Sequence, residues 1–235
     1  MPTPTLPETF ADAFTVPSTG GMGIATYRLL EGPAGGKDTA PALIWAHANG
    51  FNAGCYLPLL RRLSAYFQVF AYDARGHGAS SRPPDDLEHD YAMVRFAEDL
   101  SAIAARVRWM IGDGVPLHFA SHSLGGLAAV LLEAELDEAP FDSLTLFEPP
   151  IYPPKGNVEW SGAVAHSSIF VRWAAKRQCR FPNREALRDE VQNIITYRRF
   201  SDEMMAAYLD AAVEPDADSG EGLVLRCPGR IDAAT

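Results

Sequence analysis

Short continuous apolar runs alternate along the chain with longer stretches whose apolar residues recur three and four apart, a rhythm of buried strands and core-facing helices. The runs at 23–30 (Ile24, Thr26, Tyr27, Leu29), 42–46, 68–72, 117–121 and 143–147 predict strands. Helical spacing marks 57–66 (Leu59, Leu60, Leu63), 91–111 (Phe96, Leu100, Ile103, Val107, Ile111) and the small-residue stretch 124–136. The turn-rich Gly32-Pro33-Ala34-Gly35-Gly36 reads as a hairpin or loop. Strand and helix patterns in this alternation predict an α/β fold with a doubly wound, mostly parallel sheet.

After the Pro-rich Pro149-Pro150-Ile151-Tyr152-Pro153-Pro154 the alternation stops. Helical patterns follow around 164–175, 184–197 and 202–212 with no strand expected between them, and 223–228 reads as a short extended piece. The expected organisation is a core at 1–149 and a helical cap at 150–235.

Composition narrows the partners. The 235 residues are 47% hydrophobic and 21% charged, with 20 basic against 30 acidic side chains and a formal net charge of −10. Such a surface repels phosphate backbones, so neither nucleic acid nor an anionic membrane is an expected partner; a small, neutral or apolar molecule fits better. Cys55, Cys179 and Cys227 are an odd count without metal-ligand spacing and read as free thiols in a reducing compartment. The start of the chain lacks a basic, then apolar, signal, and no stretch approaches roughly 18 consecutive apolar residues. A cytoplasmic location is expected, with no cofactor and no metal; nothing in the sequence bears on oligomeric state.

The chemistry centres on Ser121-His122-Ser123-Leu124-Gly125-Gly126, lying between a predicted strand and a predicted helix. A strand-turn-helix this tight needs small residues two before and two after the serine, and Ser121 and Gly125 supply them. Ser123 is the expected nucleophile and Ser121 a packing residue. The Leu124 N–H at the helix N-terminus is the expected first oxyanion donor. The loop Trp45-Ala46-His47-Ala48-Asn49-Gly50-Phe51 follows a buried strand, and the N–H of Phe51 or of Asn49 would complete the pair. His47 reads as a side chain pinning that loop.

With Asp73-Ala74-Arg75-Gly76-His77-Gly78-Ala79-Ser80 these motifs make an ordered set of three, and over about residues 24–150 the chain resembles the α/β-hydrolase superfamily. The resemblance implies a structural role for Arg75 and His77. It also implies a triad in the order nucleophile, acid, histidine, and a cap that sets substrate choice. Glu148, ending the strand after the elbow helix, reads either as that acid or as a loop-holding side chain at the cap hinge. Asp142 is at the wrong end of the same strand. His89, His118 and His122 read as structural, while His166, the last histidine, lies in the cap, where it would be a substitute base. Completing such a fold would take two further strand–helix units, roughly 50 to 60 residues. The chain is therefore expected to be a truncated hydrolase.

The function implied is hydrolysis of a small ester or related acyl compound through an acyl-enzyme at Ser123, impaired in this chain for want of the histidine. Relatives that cleave carbon–carbon bonds or act as cofactor-free haloperoxidases also use serine and stay open. A carboxylate nucleophile, needed for dehalogenation or epoxide hydrolysis, is absent at 123. A non-catalytic protein binding a small ligand under the cap is the alternative from another class. Trp160, Phe170, Trp173, Tyr197 and Tyr208 could line its pocket or pack the cap.

Overall fold

The computed structural model describes residues 10–30, 32–33, 40–82 and 87–235. The main sheet is built from β1 (Phe10–Pro17), β2 (Gly23–Leu29), β3 (Ala42–Ala46), β4 (Gln68–Tyr72), β5 (Leu117–His122) and β6 (Ser143–Phe147). Their order is β1-β2-β4-β3-β5-β6. β3, β4, β5 and β6 run parallel, and β2 is antiparallel to both β1 and β4. Every residue of β3 and β4 is buried, as expected of central parallel strands covered on both faces. β6 is an edge strand in which exposed and half-buried residues alternate.

Helix α1 (Leu57–Leu63) joins β3 to β4; α2 (Leu87–Asp90) and α3 (Met93–Ile111) join β4 to β5, and α4 (Leu124–Glu135) joins β5 to β6. One face of the sheet carries α3 and α4, whose Phe96, Leu100, Ile103, Val107 and Leu132 pack with Ile44, Phe70 and Phe119. On the other face Leu43, Trp45, Tyr56 and Leu60 share a cluster with Phe181, Leu187, Tyr197, Tyr208 and Leu225. That second face puts the later part of the chain over the ends of the central strands.

The region after Pro150 holds α5 (Trp160–Lys176), α6 (Arg184–Val191), α7 (Asp202–Ala211) and the short α8 (Gly229–Asp232). The extended piece expected at 223–228 is β9 (Leu223–Leu225), and, contrary to expectation, it pairs with two further strands, β7 (Arg180–Phe181) and β8 (Val213–Pro215), in an antiparallel sheet ordered β7-β9-β8. Strands of two or three residues are too short to show a period of two, so patterning alone misses β7 and β8. The helix expected over 184–197 stops at Val191, and the one expected from 91 begins at Met93. Strand β1 had no sequence prediction; it is held by pairing to β2, with Phe10 and Val16 buried. Residues 34–36 of the glycine-rich loop and the first nine residues, on which the reading of the chain start rests, lie outside the described residues. Among the described residues no helix is long and apolar enough to cross a membrane.

Candidate active site

The elbow forms because β5 must turn into α4 within one residue. Ser123 takes that turn with φ 52° and ψ −112°, a conformation L-residues rarely adopt, and its N–H donates to Phe147 O at 2.9 Å. Gly125 is required by close approach: a Cβ there would collide with the Ala46 side chain on β3 and crowd Ser121. Leu124 is the first residue of α4, so its N–H has no helical carbonyl to bond and stands free to serve a ligand. Ser123 itself is half-buried.

The other described non-glycine residue with positive φ is Glu148, at 48°. It follows β6, as Ser123 follows β5, and the Ser123–Phe147 bond ties the two ends together. Asp142 sits at the opposite end of β6, where its carboxylate accepts the Leu117 N–H at 2.8 Å.

The loop after β3 is braced from three sides. His47 Nδ1–H donates to Ala48 O at 2.7 Å while its Nε2 accepts the Ala74 N–H at 2.8 Å. His77 Nδ1–H donates to Arg75 O at 2.9 Å; its Nε2 accepts the Gly50 N–H at 3.2 Å, a donor shared with Asn49 Oδ1, which itself lies 3.0 Å from Nε2. Burial lowers the basicity of both rings, and for His77 the neighbouring His47 adds to it, bringing it to about 3. Arg75 holds the second loop through a two-pronged buried pair with Asp99, 2.7 Å for each prong. From below, Asn49 Nδ2 donates to Asp232 O at 2.7 Å, and Asp232 is itself paired with buried Arg177 at 2.8 Å. Of the two loop donors considered, the Phe51 N–H is already committed to Ala48 O at 3.1 Å.

Tyr56 and Asp232 are site residues that sequence reasoning missed. Tyr56 ends a 3-10 turn capped by Asn52 and is buried. Its hydroxyl accepts the Ala48 N–H at 3.2 Å and lies 2.8 Å from His122 Nδ1. The phenol has one proton, and among the described residues His122 Nδ1 is the acceptor available to it. The hydroxyl therefore donates to Nδ1, which leaves the proton of the neutral ring on Nε2. Burial keeps His122 neutral by lowering its basicity, against an opposing pull from Glu148. In that state neither ring nitrogen can take a proton from Ser123.

A cavity of about 530 Å³ opens beside the elbow. One wall is Phe51, Tyr56, His122 and Glu148; the other, from the region after Pro150, is Ile195, Arg199, Phe200 and Met204. The cap aromatics considered from sequence are elsewhere. Tyr197 and Tyr208 are buried against Phe51 and, with Trp173, border a separate cavity of about 340 Å³; Trp160 borders a third, of about 440 Å³, and Phe170 is exposed. The side chain of His166 is outside the described residues. Cys55, at the cavity edge, is buried with its thiol pushed up to about 12, which leaves it protonated and a poor nucleophile.

A profile described as "Alpha/beta hydrolase family" matches residues 43–230. Among proteins of known activity, the chain is 29% identical over 97 residues to 3-oxoadipate enol-lactonase 1 of Acinetobacter baylyi, covering 41% of this chain and 33% of that protein. It is 32% identical over 99 residues to 2-(acetamidomethylene)succinate hydrolase of Mesorhizobium japonicum, covering 42% and 32%. The matched stretch thus spans about a third of each of these relatives. The crystal structure of E-2-(acetamidomethylene)succinate hydrolase superposes with a TM-score of 0.71 at 19% identity, covering 95% of this chain and 71% of that one, a likeness of fold.

Proposed function

The chain belongs to the alpha/beta hydrolase family, and from that premise we propose that it is built to hydrolyse a small acyl compound, most simply an ester, through an acyl-enzyme at Ser123. The observation that carries this reading is the backbone of Ser123, forced to φ 52° between β5 and α4 and next in the chain to His122, which lines the 530 Å³ cavity. Strained residues of this kind persist where a site needs them. Ser123 Oγ attacks the acyl carbon, the oxyanion is met by the Leu124 and Asn49 N–H groups, the alcohol leaves, and water releases the acid. Asn49 is preferred to Phe51 because the latter's N–H is already bonded.

Glu148 is the proposed acid, poised after β6 to orient a histidine and stabilise its charged form. Among the described side chains around Ser123 no histidine stands ready as the base. His47 and His77 have both nitrogens engaged in the brace, and His122 is closed by Tyr56. That observation favours a second reading, ligand binding without turnover, for this chain taken alone. The relatives named above are a lactonase and a hydrolase of a substituted succinate, so small oxygenated compounds are the first to screen.

A fluorophosphonate probe read by mass spectrometry at Ser123 tests the proposal, on this chain and on a form extended at its C-terminus. Labelling of Ser123 in either form supports a serine hydrolase. Labelling of neither, with the fold intact, leaves the binding reading and removes the hydrolytic one.

A further inference from the structure

The cavity wall beside Ser123 holds a hydrogen-bond donor that the proposed reaction does not use. His122 receives the Tyr56 proton on Nδ1, so its Nε2–H is unspent, and among the described residues nothing accepts it. His122 is half-buried and lines the cavity. Tyr56 is held in turn by the Ala48 N–H, from the loop proposed to supply an oxyanion donor.

We propose that His122 is a specificity-determining residue, whose fixed Nε2–H reads a second, neutral acceptor oxygen on the substrate, a carbonyl beyond the one attacked, and that Tyr56 is its positioning residue. This rests on the hydrolase reading above for the meaning of "the one attacked". The donor chain Ala48 N–H to Tyr56 O–H to His122 Nδ1 decides the tautomer, and the tautomer decides what the cavity accepts. A ring free to rotate or to choose its tautomer could donate or accept; this one can only donate.

Charge selects a neutral oxygen over an anionic one. The charged groups lining the cavity are Glu148 on one wall and Arg199 on the other, and they offset each other. A carboxylate held by His122 would meet Glu148, near enough to act on the ring's titration. A ketone, ester or amide oxygen meets no such opposition. Of the remaining lining, Phe51, Ile195, Phe200 and Met204 suit the carbon skeleton between two carbonyls, beside the Cys55 thiol and the Thr196 hydroxyl.

Two measurements test this. In a nitrogen-15 histidine spectrum of the intact chain, His122 is expected as the Nε2–H tautomer across neutral pH. Tyr56→Phe should mix the tautomers and raise its titration, because the lone pair on Nδ1 is released. An Nδ1–H tautomer in the parent chain overturns the proposal. The second measurement is binding to Ser123→Ala of methyl acetoacetate, methyl butyrate and monomethyl succinate. A single neutral hydrogen bond predicts that acetoacetate binds roughly three- to ten-fold more tightly than butyrate. That preference should vanish in His122→Leu and persist in His122→Gln, which keeps a donor. Equal binding of acetoacetate and butyrate, or a preference that survives His122→Leu, overturns it, as does a preference for the succinate that disappears in Arg199→Gln. Fluorophosphonate labelling of Ser123 reports the hydrolase reading separately, so either idea can fail without the other.

Discussion

His47 and His77 brace each other's loops: His47, after β3, accepts the backbone N–H of Ala74 in the loop after β4, while His77, in that loop, accepts the N–H of Gly50 in the loop after β3. Their rings lie 5.2 Å apart, both fully enclosed. Each spends its own N–H on a carbonyl beside it, Ala48 for His47 and Arg75 for His77. The brace is built with neutral rings: a second N–H on His47 would face the Ala74 donor, and one on His77 would give up the Gly50 N–H for Asn49 Oδ1, 3.0 Å away. Two loops without secondary structure of their own are thereby made as rigid as the strands they follow, which an oxyanion donor on Asn49 requires.

The brace predicts an acid-sensitive fold. Both histidines titrate lower in the folded chain than in the unfolded one, where the ordinary value is about 6.5. Below that value the unfolded chain takes up protons the folded chain refuses. The stability is therefore complete above about pH 6.5 and is lost as pH falls toward the folded value, about 3 for His77. Between pH 7.5 and 5, His77 alone should cost ~2 kcal/mol of unfolding free energy. Urea unfolding at both pH values should show His77→Gln less stable at pH 7.5 but with a smaller loss on acidification. An identical loss in the variant would mean that the ring is not held neutral.

A packing prediction concerns Gly125. A methyl group there, in the first turn of α4, points at the Ala46 side chain of β3, which the ladder to β5 holds in place. Gly125→Ala should cost about 1–3 kcal/mol, the usual penalty of overpacking, and weaken probe labelling of Ser123 by displacing the elbow. A melting temperature equal to the parent's would show that the helix and strand are not in such close contact.

What the sequence made legible were features that are local or repeated. Ser123 and Gly125 declare themselves because the turn imposes its demands within five residues, and β3 and β4 because strands covered on both faces must be apolar throughout. Glu148 could be placed after β6 by counting strands. Tyr56 and Asp232 were invisible for a common reason: their partners lie far off in sequence, 66 residues from Tyr56 to His122 and 183 from Asn49 to Asp232. No spacing rule connects such pairs; they meet because β3 and β5 are neighbours and because α8 returns beneath the loop. The tautomer of His122, on which the recognition argument turns, depends wholly on one such pair.

Ser121 offers a prediction of the opposite sign from Gly125. It is fully buried, and its hydroxyl has no hydrogen-bond partner among the described residues. The small size of the residue is required, since Gly126 packs beside it, but the hydroxyl is not. Ser121→Ala should leave the unfolding free energy unchanged or raise it by up to ~1 kcal/mol, since an unpaired buried polar group is removed. A loss larger than about 1 kcal/mol would reveal a bond to that hydroxyl, since loss on that scale is what removing a satisfied group costs.

The strain at Ser123 can be measured by separating its hydroxyl from its Cβ. Ser123→Ala removes the nucleophile but keeps the Cβ that clashes at φ 52°. Ser123→Gly removes both, and glycine adopts such angles freely. Both should abolish probe labelling. If the backbone is strained as drawn, the glycine variant should be more stable than the alanine variant by about 1 kcal/mol, after glycine's greater unfolded-state entropy has been offset. Chemical unfolding of the two, side by side at neutral pH, gives the difference directly. Equal stabilities would mean that the elbow relaxes in solution, and the support that its backbone lends to a nucleophilic Ser123 would be withdrawn.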